Sequence, residues 1–312
     1  MSGRGAVLVT GVGGFIGRAM VARLSAAGQP VVGADIGPRP DIPGLGQYET
    51  LDVSRPGVAE VLERFGDIDA VLHGGGISGF MVARDEPRRI FDTNVAGTVE
   101  LLEFARRRRL RRLVLCSTIM VYGPTQETLG EVGEDTAPVP GSVYGASKAA
   151  IEALGQGYAG QHGVDVVALR FSHVYGPGRT TECFVRDMVA AALTSGRCRV
   201  SQPSGSLRQY VHIDDVCASI DAALAAGADI PRVFNISAGA VQSLAQVRDA
   251  VRDVVGPLEV EFDEGNDVFA YHLPQLAISA AARHLGYRPA VTLEQGVARL
   301  AETLRARETA ST

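Results

Sequence analysis

The chain has 312 residues, is 46% hydrophobic and 21% charged, and carries a formal net charge of −5. It is long enough for a large buried core in one big or two small domains, and its charge excludes a general attraction to nucleic acid or anionic membrane. Cys116, Cys183, Cys198 and Cys217 form no C-x-x-C pair and no zinc spacing, and the apolar run Ala6 to Thr10 is too short for a secretory signal. No run approaches the ~18 apolar residues of a membrane span, so a reducing, cytoplasmic compartment is expected, with no metal site and no membrane partner.

Short β-branched runs alternate with helical patterns along the first half: Ala6 to Thr10, then Phe15 to Ala27; Val31 to Asp35, then Val58 to Phe65; Ala70 to His73, then Arg88 to Arg107; Leu113 to Ser117, then Tyr144 to His162; and Val164 to Arg170. Such alternation predicts βαβ units in a doubly wound, Rossmann-like parallel sheet. Between the first strand and helix lies Thr10-Gly-Val-Gly-Gly-Phe-Ile-Gly17, with Gly11, Gly14, Phe15, Ile16 and Gly17 opening the helix. Residues without a Cβ let the backbone approach a phosphate while the helix N-terminus points at it. Asp35 ends the second strand, where a carboxylate accepts from a ribose diol and repels a 2′-phosphate. NAD is therefore expected over NADP, with Arg39 nearby able to soften the preference. The arginine run 106–109 with Arg111 and Arg112 follows an apolar-periodic helix, and its expected role is in a solvated last turn, where cations suit the dipole.

Tyr144 and Lys148 are four residues apart on one helix face. An ammonium beside a phenol favours the phenolate and makes a base, so the pair is the expected proton-transfer site.

The ordered set of motifs resembles the extended short-chain dehydrogenases/reductases of the NAD-dependent sugar epimerase/dehydratase group, over roughly residues 5 to 300. The set comprises the 10–17 loop, Asp35, Leu51-Asp-Val53, His73-Gly-Gly-Gly76, Asn94-Val-Ala-Gly-Thr98, Ser117-Thr118 with Val121-Tyr-Gly123, Tyr144-x-x-x-Lys148 and Arg170 leading to Val174-Tyr-Gly-Pro177. Arg208-Gln-Tyr-Val-His-Ile-Asp-Asp-Val216, Phe234-Asn-Ile236 and Leu285-Gly-Tyr-Arg-Pro289 follow in the same order. The resemblance implies that Asp52 and Val53 border an adenine, that Gly74, Gly75 and Gly76 lie under the diphosphate and ribose, and that Lys148 also bonds the nicotinamide ribose. It makes Asn94 an organiser of the active-site helix or a ligand contact, Thr118 the catalytic hydroxyl and Ser117 a cofactor or structural contact. Arg208 matches an arginine that pairs with a sugar-nucleotide diphosphate.

Departures bear on substrate. Sugar 4,6-dehydratases of the family carry Asp-Glu after the catalytic Thr, where this chain has Ile119-Met120, which argues against dehydration. His173 stands where the epimerases usually have Asn, and the second arginine expected between 265 and 271 is absent. The loop Gly74-Gly-Gly-Ile-Ser78 is similar to that of uronate dehydrogenases, with Ser78 a candidate substrate contact.

Three functions remain open on these grounds: a nucleotide-sugar epimerase, a net dehydrogenase or ketoreductase of a free sugar, sugar acid or polyol, and a non-catalytic NAD-binding regulator. The division implied is an NAD-binding domain over 1–176, with returns near 208–237, and a substrate lobe over 177–312. The resemblance also implies a homodimer built on the Arg88 to Arg107 and Tyr144 to His162 helices, with Leu102, Ala150 and Leu154 at outer positions.

Overall fold

A computed structural model describes residues 5–79, 82–124, 130–265 and 275–311. The strands β1 (Ala6–Thr10), β2 (Val31–Asp35), β3 (Leu45–Thr50), β4 (Ile68–His73), β5 (Arg112–Thr118), β6 (Val166–Phe171) and β7 (Val233–Ile236) form one sheet in the order β7-β6-β5-β4-β1-β2-β3. Every pairing within it is parallel. β6 is buried at all six positions, and β5 at six of its seven, as strands covered on both faces by helices must be.

One core layer joins the helix Phe15–Ala26 (Met20, Val21, Leu24) and the helix Ile213–Ala225 (Val216, Ile220, Leu224) to the sheet. The opposite layer holds Leu101, Leu102, Phe104 and Ile151 from the helices Gly97–Arg108 and Val143–His162. A separate cluster gathers Val185, Met188, Val247, Val251, Val297 and Leu300 from the helices Phe184–Leu193, Leu244–Val254 and Leu293–Ser311. The strand order reverses direction between β1 and β4, so their carboxyl ends open a crevice at the switch point. There, the Gly74 amide donates to the Thr10 carbonyl at 3.1 Å and closes the floor of that crevice.

Several expectations need correcting. An edge strand, β3, intervenes between Asp35 and the next helix, which is itself shorter than expected (Val58–Leu62). The stretch expected as one α-helix from Arg88 contains a π-helical segment, Phe91–Ala96, between Pro87–Ile90 and Gly97–Arg108. Leu102 is fully buried in the core and not at an outer position, because the π segment shifts the helical phase of the residues after it. Outer apolar positions on these helices are instead Phe91 and Val143, 50% and 47% exposed.

The basic run is compensated almost residue by residue: Arg106 with Glu103, Arg107 with Glu60, Arg108 with Glu63, Arg111 with Asp69 and Arg112 with Asp165. Arg109 turns the chain in the left-handed region after the helix (φ 50°). Among the described residues, no helix is long and apolar enough to cross a membrane.

Candidate active site

The first turn is shaped by what it cannot hold. A Cβ at Gly17 would lie 2.2 Å from the Gly11 carbonyl oxygen, and one at Gly11, where φ is +70°, would lie 2.6 Å from the Gly74 carbonyl carbon. Neither position admits a side chain, so the loop rests directly on the Gly74–Gly76 turn. Gly14 is the N-cap of the helix Phe15–Ala26 and has no side chain to cap it, which leaves the first-turn N–H groups for an anion. Phe15 and Ile16 turn inward onto the core beneath. Asp35 lies at the mouth: its Oδ2 accepts from the Gly13 amide at 2.8 Å. The Arg39 guanidinium donates to the carbonyls of Leu45 and Gly46, tying its loop to β3. Asp52 accepts from the Ser54 amide and hydroxyl, which hold its carboxyl below the usual range, and Val53 packs against Gly97.

Behind the Gly74–Gly76 turn, Asn94 sits in the π-helical segment with its amide fully used. It accepts from the Ile77 amide at 2.8 Å, and donates to the Ile77 carbonyl and to Ser147 Oγ, each at 3.0 Å. Its Oδ1 would stand 2.9 Å from a Cβ on Gly76. Asn94 thus organises the turn and the active-site helix. Ser117, just before Thr118, gives its proton to Glu152, which also takes a bidentate bond from Arg170.

Tyr144 and Lys148 share the buried face of Val143–His162, whose N-terminus is capped by Ser142. The Thr118 side chain and the Gly79 backbone face the Tyr144 hydroxyl and favour its ionised form, and Thr118 Oγ1 accepts from the Met120 amide at 3.3 Å. Lys148 Nζ donates to the Cys116 carbonyl at 2.9 Å and stands 3.9 Å from the position of a Gly76 Cβ. Burial raises the Tyr144 pKa, and the Thr118 side chain, the Gly79 backbone and the Arg179 charge work against it. The expected depression by Lys148 is therefore not met. That ammonium is bonded to Cys116, and burial lowers its own pKa, opposed by Cys116 and Glu152.

On the substrate side, His173 begins a short strand paired with Tyr210–His212, its ring 6.0 Å from that of Tyr210. Arg208 is 4% exposed and donates to the Leu207 carbonyl. Ser78 is exposed at the lip after Ile77. Sequence reasoning missed Arg179, whose signal was its place directly after the Val174-to-Gly178 run. Its charge acts on both Tyr144 and Tyr210, which also feels Arg208, and its guanidinium is held by the carbonyls of Val174 and Glu182. The stretch 266–274, which includes most of the segment where a second family arginine is expected, lies outside the described residues.

Residues 7–237 match the model of the NAD dependent epimerase/dehydratase family. The chain belongs to that family. It is 32% identical to a UDP-glucose 4-epimerase of Mycolicibacterium smegmatis, over 96% of this chain and 98% of that protein. It is 29% identical to a dTDP-glucose 4,6-dehydratase of Streptomyces antibioticus, over 96% and 92%. Among solved structures, MoeE5 in complex with UDP-glucuronic acid and NAD superposes with a TM-score of 0.86 at 27% identity, covering 97% of this chain and all of that one. The UDP-glucose 4-epimerase of Thermus thermophilus with NAD gives 0.83 at 28% identity, over 96% and 99%.

The cofactor of this epimerase/dehydratase family member is NAD, and the cradle fits it. The uncapped helix start suits a diphosphate, the Asp35 carboxylate suits an unphosphorylated ribose, and side chains are excluded at Gly11 and Gly17, so bare backbone lines the cradle. Lys148 Nζ stands beside the same turn, 3.9 Å from where a Gly76 Cβ would lie.

Proposed function

We propose that the protein epimerises a sugar nucleotide at a hydroxyl-bearing carbon. The observation that carries this is that Tyr144, Lys148 and the Thr118 hydroxyl come together at the end of β5, followed by Ile119 and Met120 in place of the carboxylate pair that dehydration needs. NAD supplies a hydride acceptor and donor. Thr118 orients the substrate hydroxyl, Tyr144 takes its proton as the carbinol carbon loses hydride, and Lys148 holds a positive charge beneath. Rotation of the resulting keto sugar, followed by return of the hydride to the opposite face of the carbonyl carbon and of the proton from Tyr144 to its oxygen, would give the inverted alcohol. Arg208, with His173 nearby, is assigned to the anionic part of the substrate, because a guanidinium can bind a diphosphate bidentately.

Purified protein given UDP- and dTDP-hexoses should interconvert epimers without added NAD. Failure of every such sugar nucleotide to react or to raise the melting temperature would remove this reading. The exposed Ser78 beside the Gly74–Gly76 turn favours one second reading, a net dehydrogenase of a free sugar acid. NADH would then accumulate one for one with a uronate or aldonate.

The substrate would lie between an NAD-binding part, 1–176 with the 208–237 returns, and a lobe over 177–312 carrying the third hydrophobic cluster. A cytoplasmic homodimer is proposed through the helical stretch from Arg88 to Arg107 and the helix Val143–His162, supported by the exposure of Phe91 in the first and Val143 in the second. Sedimentation showing a monomer would overturn it.

A further inference from the structure

A chain of hydrogen bonds runs from the cofactor cradle to the catalytic helix, and its middle member is a histidine the mechanism does not use. The Gly75 amide donates to Thr10 Oγ1 at 3.1 Å. Thr10 Oγ1 lies 2.7 Å from His73 Nδ1, and His73 Nε2 lies 3.1 Å from Thr98 Oγ1. Thr98 Oγ1 in turn donates to the Asn94 carbonyl at 2.6 Å. From Asn94 the chain continues through Ser147 Oγ to the Tyr144 carbonyl, at 3.0 and 2.7 Å.

The direction of each bond follows from the last. A carbonyl only accepts, so the single proton of Thr98 is spent on Asn94, and Thr98 must accept from His73. His73 therefore carries its proton on Nε2, and Nδ1 accepts from Thr10, whose oxygen remains free to accept from Gly75. Only the neutral imidazole satisfies every member; a second proton on Nδ1 would take away the acceptor for the Thr10 hydroxyl proton. Burial, and secondarily Lys148, hold the His73 pKa down to about 3, which agrees. His73, Thr98 and Asn94 are 4%, 1% and 1% exposed, so a break leaves an unpaired polar group in the interior, where it costs most.

We infer that His73 is a positioning residue: its neutral imidazole fixes the spacing between the Gly74–Gly76 turn under the dinucleotide and the π-helical segment that holds the catalytic helix. This rests on the assignment of NAD to that cradle. Both halves are needed, since the strand β4 supplies the turn and a separate helix supplies Asn94. The side-chain bonds made by His73 span 63 and 25 residues of sequence.

The test measures NADH affinity by fluorescence alongside the melting temperature. His73→Leu cuts both bonds, while Thr98→Val cuts the chain at its far end without touching the cradle. His73→Asn can keep the Thr10 side only, and His73→Gln the Thr98 side only. Each should weaken NADH binding about three- to tenfold, as the loss of one or two buried hydrogen bonds implies. The double variant His73→Leu/Thr98→Val should be no weaker than the worse single one, because both cut the same chain. Val71→Ala, two residues before His73 on the same face of the strand but outside the chain of bonds, should lower the melting temperature and leave NADH affinity alone. Wild-type affinity in Thr98→Val or His73→Leu, additive losses, or an equal loss in Val71→Ala would overturn the inference. Failure of the wild-type chain to bind NADH would instead overturn the cofactor assignment, and this inference with it.

Discussion

The Thr118 side chain faces the Tyr144 hydroxyl and favours its ionised form, inside a site where burial works against the phenolate. Thr118 thus offsets the desolvation of its partner, and in the proposed mechanism it also orients a substrate oxygen. Tyr144→Phe should cut turnover by about 10²–10⁴-fold, the usual worth of a positioned acid–base group, with NADH affinity within about twofold of wild type. Turnover retained in a confirmed assay would remove Tyr144 from the chemistry.

The same contact sets a pH dependence. A base acts only when deprotonated, so the rate should rise with pH through the Tyr144 pKa. The Thr118 side chain lowers that pKa, so Thr118→Val should raise it and move the rising limb of the pH–rate profile to higher pH. A limb that stays in place, or moves to lower pH, would show that another group titrates there.

Asp35 holds the Gly13 amide as well as facing the expected ribose. Asp35→Asn keeps the shape and removes the charge, so NADH should bind about tenfold more weakly while NADPH gains, from the lost charge-assisted bond and the lost repulsion of a 2′-phosphate. Paired titrations with the two nucleotides check this. An unchanged ratio of affinities would place discrimination elsewhere.

Gly17→Ala would put a methyl group 2.2 Å from the Gly11 carbonyl oxygen, a contact with backbone that no rotamer change relieves. The loop must shift, so a loss of about 1–3 kcal/mol on urea unfolding is expected together with loss of NADH binding. Gly28→Ala makes a control: a Cβ there meets nothing within 4 Å, although its φ of +74° carries a backbone cost. It should lower stability and spare NADH affinity.

The central strands were legible because burial on both faces writes them as nearly continuous apolar runs, as in Leu113 to Leu115 and Val166 to Leu169. The edge strand β3 was not, since LGQYET buries only its first residue fully and reads as a loop. The π-helical turn has no periodicity of its own to betray it, and its consequence, a buried Leu102, followed from the same blind spot. Gly11, Gly17, Thr118, Tyr144 and Lys148 could be named from spacing and family motifs because each sits in a short local pattern. His73 and Arg179 act through partners distant in the chain, and a hydrogen-bond chain that crosses from β1 to β4 to a helix leaves no trace in local spacing. Asn94 could be named, but only coordinates show its amide consumed by Ile77 and Ser147.

The ion pair beneath the catalytic helix offers a last test. Glu152 accepts from Arg170 Nε and Nη2, at 3.0 and 2.7 Å, and both residues are 3% exposed at the side chain. Arg170 also donates to the Tyr122 hydroxyl, which donates to Asn235 Oδ1, so the pair links the helix to β6, β7 and the turn after β5. Glu152→Gln leaves the guanidinium buried without a counter-charge, which should cost about 3–5 kcal/mol. It also strips Lys148 of a nearby negative charge that favours its ammonium. Glu152→Gln/Arg170→Met removes both charges, so its urea midpoint should lie above that of Glu152→Gln alone, since the isolated charge and not the missing bond dominates the loss. If the double variant is instead the less stable by the sum of the two singles, the pair contributes net attraction, and the Lys148 site is held by packing rather than by this charge.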